Sequence, residues 1–113
     1  VATWFVDGVK SPLHEVCRRA CEGANLEGCI TVMTAMQSWS AEKRLGEISM
    51  PTLVIVGDMD RSATPRDALT LWDGIANACL SILPGCAHGA HLAKPDLFNR
   101  IVLDFLSEET AAP

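Results

Sequence analysis

No apolar run in the sequence approaches the roughly 18 residues that a membrane-spanning helix needs; the longest clean one is Leu53-Val54-Ile55-Val56, so no membrane partner is expected. There is no basic run longer than the pairs Arg18-Arg19 and Lys43-Arg44, and nine Lys and Arg stand against fourteen Asp and Glu, for a net charge of −5. A surface of that sign repels phosphate backbones, and no nucleic-acid partner is expected. No internal repeat is visible. Nor is there a disulfide framework: five cysteines (Cys17, Cys21, Cys29, Cys79, Cys86) lie scattered in apolar surroundings. An odd, unpatterned set fits reduced, mostly buried thiols in a cytoplasmic protein. The chain opens at Val1 without an initiator Met and without leader composition. Its true N-terminus is therefore expected upstream, and a targeting segment lost with it would leave no trace.

What is present is 113 residues, 49% hydrophobic and 20% charged, enough for one domain with a core and too apolar for a disordered chain. Ser11-Pro12 predicts a helix start, with a capping hydroxyl and a proline at the position where its missing N–H costs nothing, and the helix should run to about Glu22. After Gly23, Asn25 can cap a second helix in which Leu26, Ile30, Met33 and Met36 recur at helical spacing and should bury one face. Met33, Met36 and Trp39 read as core or as an apolar pocket wall. Ser40 should cap a short helical turn from Ala41 to Leu45.

From Thr52 the pattern changes. Thr52-Leu53-Val54-Ile55-Val56 is continuous and β-branched between Pro51 and Gly57, the signature of a strand buried on both faces. Thr64-Pro65-Arg66-Asp67 opens a helix expected to reach about Asn77. Cys79 to Leu83 is a second strand closed by Pro84-Gly85. Pro95-Asp96 starts a last helix with Leu97, Ile101, Val102, Phe105 and Leu106 on one side, and Glu108-Glu109 reads as a solvated end. Strand, helix, strand in about thirty residues predicts an α/β chain built on a βαβ unit, with two parallel strands and flanking helices. Two such strands leave apolar edges unpaired, which favours self-association or pairing with a missing N-terminal part.

In open α/β sheets chemistry sits just beyond the carboxyl ends of the strands. There the sequence has Gly57-Asp58-Met59-Asp60 after the first strand and Pro84-Gly85-Cys86-Ala87-His88-Gly89-Ala90-His91 after the second. A carboxylate accepting an imidazole Nδ1–H would fix the tautomer and leave Nε2 to take a proton from a nucleophile. Asp58 is the rival acid, although its side chain is placed to cap the amides of Ser62 and Thr64. His91 is either a pocket residue beside the pair or an exposed loop histidine. Cys86 with His88 and His91, and His14 with Cys17 and Cys21, resemble pieces of metal sites, but neither supplies a full ligand set and no metal is expected. Trp4-Phe5 reads as a segment that packed on something absent from the chain.

Ile48 to Asp60, together with Leu83-Pro84-Gly85-Cys86-Ala87-His88 and the following His91-Leu92 and Pro95-Asp96-Leu97-Phe98-Asn99, resembles the acid and histidine segments of the α/β-hydrolase fold family, over residues 45–106. The resemblance implies that Asp60 is the triad acid and His88 the triad base. It also implies that residues 1–44 correspond to the end of a helical cap and the return to the core, and residues 45–113 to the C-terminal part of the core. The family's order places a Gly-x-Ser-x-Gly nucleophile before the acid. Ser11, Ser38, Ser40 and Ser49 lack its glycines, and Cys29 follows Gly28 but has Thr31 at the second glycine position. The expectation is a serine hydrolase fragment without its nucleophile, inert alone. Its parent would act without cofactor on a small-molecule ester, lactone or activated C–C bond. The alternative is a non-catalytic binding or assembly module that uses the same βαβ unit and an exposed strand edge.

Overall fold

The computed structural model describes residues 1–107, so the acidic end at Glu108-Glu109 lies outside the described residues. Two single turns of 3-10 helix, Ala2–Trp4 and Gly8–Lys10, lead into helix α1 (Pro12–Cys21). Ser11 caps α1 by accepting the Leu13 N–H at 3.3 Å, with Pro12 in the first turn as predicted. Asn25 Oδ1 accepts the Gly28 N–H at 2.9 Å and starts α2 (Leu26–Ser38).

The predicted burial of one α2 face is not observed. Leu26 is 74% exposed, Met33 64% and Met36 63%, and none of the helix's residues is buried. Spacing of 3.6 residues identifies a helix but not the surface that covers it. Val32 and Cys29 are also exposed, so α2 is apolar around much of its circumference rather than striped. Trp39, read as core or pocket wall, is 73% exposed and lines a groove with Leu45 and Leu71. The radius of gyration, 16.1 Å, exceeds the roughly 13 Å of a compact chain this long, as a helical arm standing off the sheet requires. Among the described residues no helix is long and apolar enough to cross a membrane.

Ser40 accepts the Glu42 N–H ahead of a 3-10 segment, Glu42–Glu47, that leads to strand β1 (Thr52–Gly57). Helix α3 (Pro65–Gly74) starts where predicted and carries a capping box: Thr64 Oγ1 accepts the Asp67 N–H and the Asp67 carboxylate accepts the Thr64 N–H at 2.7 Å. It ends three residues before the expected Asn77, because Gly74 sits against Leu45 and Ile75 turns into the core at 5% exposure. Strand β2 (Ala78–Leu83) then pairs parallel to β1, from Thr52 opposite Ala78 to Gly57 opposite Leu83. A short helix α4 (Ala90–Ala93), not anticipated, precedes α5 (Pro95–Ser107).

The fold is therefore the expected α/β arrangement, a two-stranded parallel sheet with helices on both faces. Alternation along β1 sends Val54 and Val56 towards Ala68 of α3 and Leu80. Ile55 faces the other way, into a cluster of Leu83, Cys86 and Ala90 closed by Phe98 and Ile101 of α5. Burial of β1 is uneven: Val54, Val56 and Gly57 are buried and its other residues are half-buried.

Candidate active site

The two loops beyond the carboxyl ends of β1 and β2 are joined by backbone hydrogen bonds. The Asp58 N–H donates to the Leu83 carbonyl at 3.1 Å and the Met59 N–H to the Cys86 carbonyl at 2.9 Å. Only glycine fits at position 57, because a methyl there would run into the carbonyls of Cys86 and Ala87. Pro84-Gly85 makes the turn after β2, with Gly85 at φ +64°, a left-handed conformation that a side chain disfavours.

This packing brings Asp60 and His88 together: His88 Nδ1 lies 2.9 Å from Asp60 Oδ2. Asp60 is 7% exposed, and its Oδ1 accepts the Ser62 N–H at 2.8 Å and the Ala63 N–H at 3.1 Å. Burial pushes its carboxyl upward, but those amides and His88 outweigh it and hold the group below the usual aspartate value. An ionised carboxylate can only accept, so Nδ1 carries the proton and Nε2 holds the free lone pair. Among the described residues Nε2 makes no hydrogen bond, and the His88 side chain is 40% exposed. Such a pair can take a proton from a nucleophile at Nε2 and hold the resulting imidazolium against the carboxylate.

Asp58 does not do what its sequence context predicted. Asp60 takes the loop amides, while Asp58 Oδ1 accepts the Cys86 N–H across the gap between the loops at 3.1 Å. Its carboxyl is held low, chiefly by the Gly85 amide. Cys86 itself is fully buried and burial pushes its thiol up, which leaves it a packing group. His91 is exposed on α4 and packs on Phe98, ring centroids 5.8 Å apart. The four serines considered as nucleophiles lie elsewhere: Ser11 and Ser40 cap helical turns, Ser38 bonds the Ala35 carbonyl and Ser49 lies beside Met50 Sδ. Among the described residues no three His, Cys, Asp or Glu side chains converge on a metal position.

Sequence reasoning missed the contribution of the first turn. Phe5 is buried at 5% and packs under Gly89, and Gly89 donates its N–H to the Trp4 carbonyl at 2.6 Å. The Trp4 ring stands 5.9 Å from that of His88, and Thr3 Oγ1 meets Ser62 Oγ at 3.3 Å. Trp4-Phe5 thus packs on the histidine loop within this chain rather than on something absent from it. A cavity of about 220 Å³ lies there, lined in part by Phe5, Met59, Arg61 and Ala87. Two larger grooves, about 550 and 520 Å³, follow α3 and the Glu42–Glu47 turn, and neither Asp60 nor His88 lines them.

No family model matches the chain. A 2-hydroxy-6-oxo-6-phenylhexa-2,4-dienoate hydrolase from Comamonas testosteroni is 41% identical over 73 residues, 65% of this chain and 26% of the relative. Among solved structures, a hydrolase from Pseudomonas aeruginosa superposes with a TM-score of 0.85 at 28% identity, covering 93% of this chain and 40% of that one. The chain's sequence relatives and structural neighbours are α/β-hydrolases, each matched in part. A second α/β-hydrolase neighbour, the bromoperoxidase from Bacillus anthracis, gives a TM-score of 0.80 at 26% identity, again over 93% of this chain and 40% of the other. The chain spans about a quarter of the length of the curated α/β-hydrolase relative it matches.

Proposed function

We propose that this chain supplies the acid and the base of a hydrolase triad, Asp60 and His88, to a nucleophile carried outside the sequence. The 2.9 Å contact between His88 Nδ1 and Asp60 Oδ2 carries the reading. His88 Nε2 takes the proton of a serine hydroxyl as that oxygen attacks the substrate, then returns it to the leaving group; water repeats the sequence on the covalent intermediate. The substrate is a small-molecule ester, lactone or activated C–C bond. The similarity to a hydrolase of a phenylhexadienoate favours the last, and no cofactor is needed. Residues 1–44 then form the end of a cap and residues 45–113 the C-terminal part of the core. The five free cysteines suit a reducing, cytoplasmic setting.

Alone, the chain should be inert, since in a serine protease removing the nucleophile costs about 10⁶ in turnover. The test joins it to the nucleophile-bearing N-terminal portion of a structural neighbour and follows ester and dienoate hydrolysis. Activity that appears on joining and falls at least a thousandfold in His88→Ala supports the reading; unchanged turnover in His88→Ala refutes it.

One observation favours a second reading, a non-catalytic assembly module. Among the described residues each strand pairs on one side only, and open strand edges together with the exposed apolar residues of α2 invite association. A strictly monomeric, cooperatively folding chain in light scattering would exclude it.

A further inference from the structure

The two aspartates after β1 form a matched set with two residues after β2. Asp58 reaches Cys86 and Asp60 reaches His88, each partner 28 residues away. Within the sheet the paired residues are 26 apart, as in Gly57 opposite Leu83. Pro84-Gly85 inserts the two extra residues, and beyond them the parallel pairing continues through side chains. Asp58 forms the first rung of that extension and the Asp60–His88 contact the second.

The first rung holds the turn at both ends. The Asp58 N–H occupies the Leu83 carbonyl and its carboxylate occupies the Cys86 N–H. Lys94 Nζ also donates to the Pro84 carbonyl. The amide caught by Asp58 belongs to a residue with 0% exposure, so its alternatives are few.

We propose that Asp58 is a positioning residue for His88: by holding the Cys86 amide it sets the height of the histidine loop, so that Nδ1 meets Asp60. The proposal rests on the acid–base reading of Asp60 and His88. The carboxylate acts through the loop and touches no reacting atom.

The test is imidazole ¹⁵N NMR on the 113-residue chain, with Asp58→Ala, Asp58→Ser and Asp58→Asn. Serine stays polar but is too short to reach the amide, whereas asparagine keeps an acceptor oxygen at the right reach. The expected result is loss of the His88 Nδ1–H resonance in the Ala and Ser variants and its retention in Asn, with α3 amide shifts unchanged throughout. Retention of the wild-type resonance in Ala and Ser overturns the proposal, as does an Asn variant that behaves like Ala. Failure of both Ala and Ser to fold also overturns it, because Asp58 would then be scaffold. A wild-type chain lacking the Nδ1-protonated form removes the Asp60–His88 pairing itself, a separate failure visible before any variant is made.

Discussion

Gly57→Ala is the substitution that most directly couples the sheet to the site. The added methyl lands 2.6 Å from the Ala87 carbonyl oxygen and closer still to that of Cys86, where ordinary contact begins at 3.4 Å. Both neighbours are backbone and cannot rotate away, so strand end and histidine loop must part by about 1 Å to clear the nearer carbonyl, that of Cys86. That movement stretches the Met59 N–H to Cys86 carbonyl bond from 2.9 Å to about 3.9 Å, beyond hydrogen-bonding range. It strains the Asp58–Leu83 bond in the same way. Two weakened hydrogen bonds at about 1 kcal/mol each, added to the usual 1–3 kcal/mol for overpacking, bring the expected loss to about 3–5 kcal/mol. Urea unfolding followed by circular dichroism measures it as a lower midpoint at unchanged slope. A variant within about 0.5 kcal/mol of wild type would refute the reasoning, since it would mean that the loop retreats at no cost.

Asp60 gives the chain a pH dependence of known sign. Its folded carboxyl lies below the usual value, so its stabilising contribution is complete above the unfolded aspartate value near 4 and is lost as pH falls through the folded one. Asp60→Asn should flatten the acid limb of a stability-against-pH curve, and an unaltered limb would contradict the assignment. Thr64→Ala removes one half of the capping box on α3 and should cost about 1 kcal/mol in the same urea assay. Iodoacetamide with mass spectrometry should label exposed Cys21, Cys29 and Cys79 in the native chain and reach buried Cys17 and Cys86 only in denaturant; native labelling of Cys86 at the rate of Cys29 would show that the histidine loop opens freely.

The elements that sequence reasoning located, β1, α3, β2 and α5, are specified by chemistry local to each: a β-branched run, a capping hydroxyl before proline, and a proline-glycine stop. Those signals act within a few residues and need no partner. What escaped depends on partners distant in sequence. The Leu26, Ile30, Met33 and Met36 spacing implied a covered face that the described residues do not supply. Gly74 ended α3 early because Leu45, 29 positions earlier, packs against it. Trp4 and Phe5 carry no motif, and their place against Gly89 follows from shape alone.

The candidate site shows how far register can carry an inference. Parallel pairing fixes Gly57 opposite Leu83, and counting onward at equal pace would set Asp60 opposite Cys86, with His88 two residues out of phase. The chain closes that gap at Pro84-Gly85, where a left-handed glycine turns the backbone and consumes the two surplus residues. A sequence reading can therefore name the acid and the imidazole from their positions after the strands. Strand register alone does not tell which aspartate meets the ring unless the turn's residue cost is included. Once it is, Asp58 falls opposite Cys86 and Asp60 opposite His88, and the two carboxylates take different tasks, one holding backbone and the other holding an imidazole. The left-handed turn at Gly85, more than the identity of either acid, decides which carboxylate reaches the histidine.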